Sequence, residues 1–156
     1  MLRISKLTDY GTLVLVHLAG GDSKRLHPAS ALAEATGLAL PTVQKVLKAL
    51  TKGGLVTSAR GTDGGYKRAR PAEDISAAEI LDALEGPVAI TECSHDDSHC
   101  ELEPNCQAGS AWQKISRAIR SAMNDIRLID LLNPPGEFPL RHTILSGSGH
   151  VSRLNK

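Results

Sequence analysis

Pro41-Thr42-Val43-Gln44-Lys45-Val46-Leu47-Lys48-Ala49-Leu50-Thr51-Lys52, then Gly53-Gly54-Leu55-Val56-Thr57-Ser58, then Arg60-Gly61-Thr62-Asp63-Gly64-Gly65-Tyr66-Lys67-Arg68-Ala69, is the stretch whose reading decides the fold. Val43, Val46, Leu47 and Leu50 recur at helical spacing and make one apolar stripe, while Thr42, Gln44, Lys45, Lys48 and Lys52 point the other way. Gly53-Gly54 stops that helix. Leu55 to Ser58 reads as a strand, Arg60 to Gly65 as a glycine-rich turn with Asp63-Gly64 as its hairpin signal, and Tyr66 to Ala69 as the return strand. A hairpin placed directly behind a basic-faced helix reads as a wing. Its tip bears Arg60, with Lys67, Arg68 and Arg70 close by, so it can reach phosphates or the minor groove of a duplex. An arginine in a turn is often merely solvated; the neighbouring basic residues favour DNA contact at Arg60 and Lys67.

Working toward the N-terminus, Leu38-Ala39-Leu40 is a tight connection, and Pro28 with Ser30 opens a short helix, Ala31 to Thr36, closed by Gly37. Two short helices joined by such a turn, the second basic on its outside, form a helix-turn-helix. Ahead of them Ser5 to Leu18 reads as a helix, with Leu7, Tyr10, Val14 and Leu18 at 3, 4, 4 spacing, ended by Gly20-Gly21. The apolar run Gly11 to Ala19 mimics a signal peptide, but Asp9, His17 and the lack of a cleavage pattern speak against one. No apolar run approaches the ~18 residues of a membrane span. The expected location is cytoplasmic, with no membrane partner.

Toward the C-terminus, Ser76 with Glu79 three residues on is a capping box, opening a helix that ends near Gly86-Pro87. The next segment holds all three cysteines, Cys93, Cys100 and Cys106, spaced Cys-x6-Cys-x5-Cys among polar residues that include His95 and His99. Such a loop buries too little apolar surface to offset the roughly 1–2 kcal/mol per residue that ordering costs. Three is an odd number for a disulfide framework, and neither gap is the short knuckle that structural zinc prefers. Three thiolates on a long loop suit an iron–sulfur cluster better; zinc and free or redox thiols stay open at this point. From about Gln107 to Leu132 a long helix is expected, with Trp112, Ile115, Ile119, Ala122, Ile126 and Ile129 at 3, 4, 3, 4, 3 spacing. That seam suits packing on a second helix, either of its own domain or of a twin. Asn133-Pro134-Pro135-Gly136 stops the helix, and the Gly- and Ser-rich remainder to Lys156 reads as an unpacked tail.

Charge is distributed by region. The 156 residues carry a net charge of only +1. Residues 1–70 nevertheless hold eleven Lys and Arg against four Asp and Glu, residues 71–110 hold ten acidic and no basic residues, and residues 111–156 hold seven basic and three acidic. A basic head before an acidic middle is expected when only the head meets a polyanion. With four aromatic residues in the chain, stacking on single strands is disfavoured, so the partner expected is double-stranded DNA. No catalytic Ser/His/Asp or paired-carboxylate spacing is present, and Gly61 to Gly65 lacks the Lys-Ser/Thr of a phosphate loop, so no enzyme is expected.

Leu7-Thr8-Asp9-Tyr10, the run Gly53-Gly54-Leu55-Val56-x-Ser58-x-Arg60-Gly61-x-x-Gly64-Gly65-Tyr66, and Glu79-Ile80-Leu81-x-Ala83-Leu84-Glu85-Gly86 together resemble the Rrf2 family of bacterial transcription regulators. The cysteine loop after the last motif is similar to that of the family's iron–sulfur sensors, the IscR-like and nitric-oxide-responsive NsrR-like branches. The Leu-Thr-Asp-Tyr-Gly start resembles regulators of SUF cluster assembly. The resemblance covers residues 1 to about 133 and implies a homodimer on a near-palindromic operator, its recognition helices about one DNA turn (~34 Å) apart. It implies a cluster on Cys93, Cys100 and Cys106, with [2Fe–2S] favoured over [4Fe–4S]. The IscR-like branch has a histidine three residues after the last cysteine, where Gly109 stands here. The fourth ligand is then Asp9, matching an aspartate that NsrR-like sensors supply from the partner subunit, or else His95 or His99. Thr8 is a further polar candidate beside it, and the bland role for Asp9 is a cap or ion pair on its own helix. A carboxylate is a weaker partner for iron than a thiolate and leaves a labile corner, which suits a sensor.

The expected fold class is mainly α with a small β wing: a winged helix-turn-helix DNA-binding domain plus a long dimerisation helix. The expected organisation is a head over 1–86, a cluster-binding loop over 87–106, the dimerisation helix over 107–133 and a tail over 134–156. The expected function is a cluster-sensing regulator, read as a repressor, of SUF or ISC assembly or related iron and redox genes. The alternatives are a nitric-oxide or redox-sensing repressor of the same family, or a zinc- or thiol-bearing winged-helix protein without cluster sensing.

Overall fold

A computed structural model describes residues 4–87, 91 and 109–133. Helix α1 (Lys6–Gly20) begins at Ser5, whose hydroxyl accepts the Leu7 N–H as an N-cap. Helix α2 (Ala29–Thr36) ends at Gly37, held at φ 70°, a left-handed conformation in which glycine avoids the Cβ penalty. Helix α3 (Leu40–Lys52) follows after the short turn, starting one residue before the expected Pro41, with Pro41 in its first turn where no N–H is required. The expected helix-turn-helix is present.

Strands β1 (Val56–Ala59) and β2 (Gly65–Arg68) pair antiparallel, Val56 opposite Arg68 and Ala59 opposite Gly65. The wing is wider than a hairpin. His27, just ahead of α2, forms a bridge with Tyr66, each backbone N–H donating to the other's carbonyl at 2.9 Å. That close approach explains Gly65: a Cβ there would lie 2.7 Å from the His27 carbonyl carbon. A 3₁₀ turn (Ala72–Asp74) leads to helix α4 (Ala77–Glu85), opened by the reciprocal Ser76–Glu79 capping box.

One apolar cluster unites these elements. Val14, Leu15 and Leu18 of α1, Leu32 of α2, Val43, Val46, Leu47 and Leu50 of α3, Leu55 and Val56, Ile75, and Ile80 and Leu84 of α4 all belong to it. Where α1 crosses α4 the contact is so close that a Cβ on Gly11 would lie 2.4 Å from Leu84 Cδ1. α3 meets α4 equally tightly, with Gly53 against the Ala83 methyl.

The C-terminal arm departs from the single helix expected. Helix α5 (Gly109–Asp125) stops, the chain extends through Ile126 and Arg127, and helix α6 (Leu128–Leu132) restarts. Arg127 is in the β region and bridges Ser76; the Ala77 N–H donates to the Ile126 carbonyl at 2.9 Å and the Leu128 N–H to the Ile75 carbonyl at 2.8 Å. Those bonds replace the helical ones lost at the break and carry Leu128, fully buried, into the core. Ile129, Leu131 and Leu132 pack around it. The expected seam is therefore divided, with Trp112, Ile115, Ile119 and Ala122 on α5, Ile126 in the break, and Ile129 against its own domain.

α5 is tied to α4 by an Arg120–Asp82 pair and by the Ser76 hydroxyl donating to Asn124 Oδ1 at 3.2 Å. Its outer face keeps Trp112 and Ile115 about two-fifths exposed, at 40% and 42%. No helix among the described residues is long and apolar enough to cross a membrane. The tail over 134–156 lies outside the described residues.

Candidate nucleic-acid interface and the approach to the cysteine segment

α3 presents a two-sided surface. Val43, Val46, Leu47 and Leu50 are fully buried, which fixes the helix roll and turns Gln44, Lys45, Lys48 and Lys52 out to solvent, with Thr42 half-buried at the edge. Among the described residues the ion pairs are Arg70–Glu79 and Arg120–Asp82, so the charges of Lys45, Lys48 and Arg60 stand uncompensated. Arg60 is exposed where β1 leaves the sheet. The tip behind it turns through Gly61 at φ 117°, and the Gly64 N–H donates to the Gly61 carbonyl at 3.0 Å. A Cβ on Gly64 would meet the Ala59 carbonyl oxygen at 2.6 Å, so the tight tip that presents Arg60 needs a glycine there.

The other basic residues near the wing have different surroundings. Arg68 donates from Nε to the Leu18 carbonyl at the end of α1 at 3.3 Å, and from Nη1 to the Arg70 carbonyl at 3.4 Å. Arg70 pairs with Glu79 at 2.7 Å and reaches the Asp74 carbonyl. Both stitch the wing to the body. Lys67 is half-buried on β2 opposite Thr57, and lines a groove at the base of the wing rather than its tip.

Asp9 is exposed in the first turn of α1 and enters no ion pair or hydrogen bond among the described residues. Among those residues it takes up neither a cap nor an ion pair. Beside it, the Ser5 and Thr8 hydroxyls both donate to the Glu85 carboxylate at the end of α4. Sequence reasoning missed this clamp, because it joins residues far apart in the chain. It fixes the start of α1 to the point where the chain leaves α4 through Gly86 toward the cysteines. Cys93, Cys100, Cys106, His95 and His99 lie outside the described residues. Among the described residues no three His, Cys, Asp or Glu side chains converge.

The Ser5 hydroxyl first, then that of Thr8, hold the Glu85 carboxyl below its ordinary value of 4.5, against a smaller upward push from burial. A carboxylate with a depressed folded pKa stabilises the fold above its unfolded pKa and loses that contribution as pH falls through the folded one. Glu85→Gln is therefore expected to flatten the loss of thermal stability below about pH 4.5. Melting curves across the acid range check this, and identical profiles for variant and wild type would remove the clamp as a stabilising contact.

An amphipathic second helix with a basic outer face, set beside a hairpin with an arginine at its tip, defines a winged helix-turn-helix DNA-binding protein. Residues 4–134 match the sequence profile of the Rrf2 family, described as iron-dependent transcriptional regulators. The chain belongs to the Rrf2 family and is a transcription regulator, not an enzyme. It is 28% identical over 131 residues to protein Rrf2 of Nitratidesulfovibrio vulgaris, covering 84% of this chain and 87% of that protein. The structure resembles T. potens IscR, with 28% identity, a TM-score of 0.61 and coverage of 85% of this chain and 88% of that one. It also resembles CymR, the global cysteine regulator of B. subtilis, with 26% identity, a TM-score of 0.64 and coverage of 85% and 97%.

Proposed function

We propose that this regulator senses an iron–sulfur cluster held by Cys93, Cys100 and Cys106, with Asp9 of the partner subunit as fourth ligand, and that it represses genes of cluster assembly or related iron and redox functions. DNA contact is assigned to Thr42, Gln44, Lys45, Lys48 and Arg60. The observation that supports the sensing role is the exposed Asp9 carboxylate, unpaired among the described residues, on a helix start clamped through Glu85 to the end of α4, after which the chain runs on to the cysteines. The donor set, three thiols and a carboxylate, fits iron in chemistry.

When bound, the cluster supplies a redox- and ligand-sensitive tie. The chain's own part is to clamp the end of α4, from which the sequence runs on to the cysteines, to the first turn of α1, so that a group bound by those cysteines would bear on how two heads sit on DNA. Exposed Trp112 and Ile115 on α5 offer the face for a second copy, and a symmetric pair would suit a near-palindrome.

Anaerobic reconstitution should give a coloured protein with iron and sulfide in equal amounts, about two of each per chain for [2Fe–2S]. Cys93→Ala, Cys100→Ala and Cys106→Ala should each abolish it, and Asp9→Ala should make it more labile to oxygen. A colourless protein holding zinc would overturn the cluster and favour the metal-thiol alternative. A second reading, thiol or redox sensing without a cluster, draws on the likeness to the cysteine regulator CymR. A metal-free protein whose operator affinity changes on thiol oxidation would support it.

A further inference from the structure

The outward side of α3 changes character along its length. Gln44, Lys45, Lys48 and Lys52 are exposed and polar over its middle and end. The entry to the helix carries no polar side chain on three consecutive residues, the N-cap Ala39 and then Leu40 and Pro41, all of them exposed. Leu40 keeps 40% of its surface open, whereas Leu38 just before it packs against the core. Pro41, Lys45 and Lys48 follow i, i+4, i+7 spacing and share one face, opposite the buried stripe.

A helix start commonly offers backbone N–H groups and a capping side chain to a phosphate. This one offers little of either. Ala39 makes no side-chain cap, Pro41 has no N–H, and the Thr42 N–H is spent on the Ala39 carbonyl at 2.9 Å. The first turn is an apolar tip on a basic helix.

In a helix-turn-helix the N-terminal residues of the second helix contact base edges in the major groove. Those edges present hydrogen-bond donors and acceptors, with one apolar exception, the C5-methyl group of thymine. An apolar side chain set over a donor or acceptor strips its water and returns no hydrogen bond, which is costly. Set over a thymine methyl, the same side chain buries apolar surface on both partners.

We infer that Leu40 and Pro41 read thymine methyl groups in the operator, beside the base edges and phosphates assigned to Gln44, Lys45 and Lys48. The inference rests on the reading of α3 as the DNA-facing helix and adds what its first turn selects. The lysines hold a duplex of any sequence; the apolar tip discriminates among sequences.

The test uses the full chain and a duplex that it selects from random DNA. Each thymine is replaced in turn by uracil, which keeps every hydrogen-bonding group and removes only the methyl. At least one such replacement should weaken wild-type binding roughly fourfold, the loss expected when one methyl leaves an apolar contact. In Leu40→Ala and in the Leu40→Ala, Pro41→Ala double variant, the thymine preference at that position should shrink, in the double variant to about one. The salt slope should stay at the wild-type value in both, since no phosphate contact is lost. Lys48→Ala is the control: it should weaken binding while keeping the preference. A wild type that does not distinguish thymine from uracil anywhere, or a preference that survives the double variant, would overturn the inference. Binding unchanged in a Lys45→Ala, Lys48→Ala variant would remove the whole α3 face from DNA, and this inference with it.

Discussion

Replacing Arg60 and Lys48 together with alanine is expected to weaken operator binding by roughly 30- to 1,000-fold. An arginine that reads bases costs roughly 1–3 kcal/mol when removed, and a lost phosphate contact adds about 1 kcal/mol and lowers the salt slope by about one. Both side chains are exposed and, among the described residues, unpaired, so truncating them orphans no described partner. The loss should therefore appear in DNA affinity while the melting temperature stays near wild type. Binding to an operator selected from random duplexes, measured across salt concentrations, provides the check. Affinity and slope both unchanged would remove Arg60 and Lys48 from the interface.

Leu128→Ala is expected to destabilise the head by about 2–5 kcal/mol, the range for truncating a fully buried leucine. At about 2–4 °C per kcal/mol for a chain of this size, that amounts to a drop of roughly 4–20 °C in Tm. Leu128 is fully buried among residues of the head, whereas Leu13 on α1 is 44% exposed. Leu13→Ala should therefore change stability by no more than about 0.5 kcal/mol. If the two substitutions cost the same, α6 is not docked in the core and the break after α5 has no energetic reason.

The comparison between Leu128 and Val46 shows where local reading succeeds and fails. The stripe Val43, Val46, Leu47 and Leu50 was legible because helix periodicity and burial agree over about two turns, and the ends carry their own stop signals. The Ser76–Glu79 box was legible because both partners lie within one turn. The break at Ile126 was not. Ile119, Ala122, Ile126 and Ile129 continue a helical period across it, and the cause, the bridge to Ser76, comes from a segment some fifty residues away.

The candidate sites divide in the same way. Outward positions on α3 and the wing tip followed from spacing, because a buried stripe dictates the opposite face. Arg68 and Arg70 looked like further DNA-facing charge, since composition registers sign but not partner. Their partners, the Leu18 carbonyl and Glu79, are set by how the wing lies against α1 and α4. The Ser5–Thr8–Glu85 clamp and the groove around Lys67 depend likewise on distant segments meeting.

The sequence by itself determined the winged head, its basic face and the cysteine spacing, because each rests on interactions within a few residues: helical periodicity, caps, hairpin turns and thiol count. Only the tertiary structure decided which arginines are anchors, that the last helix folds back into the core, and that Lys67 faces a groove. Those outcomes depend on contacts between residues far apart in the chain. Burial of Leu128, donation of its own N–H to the Ile75 carbonyl and donation of the Ala77 N–H to the Ile126 carbonyl outweigh the local preference for one unbroken helix.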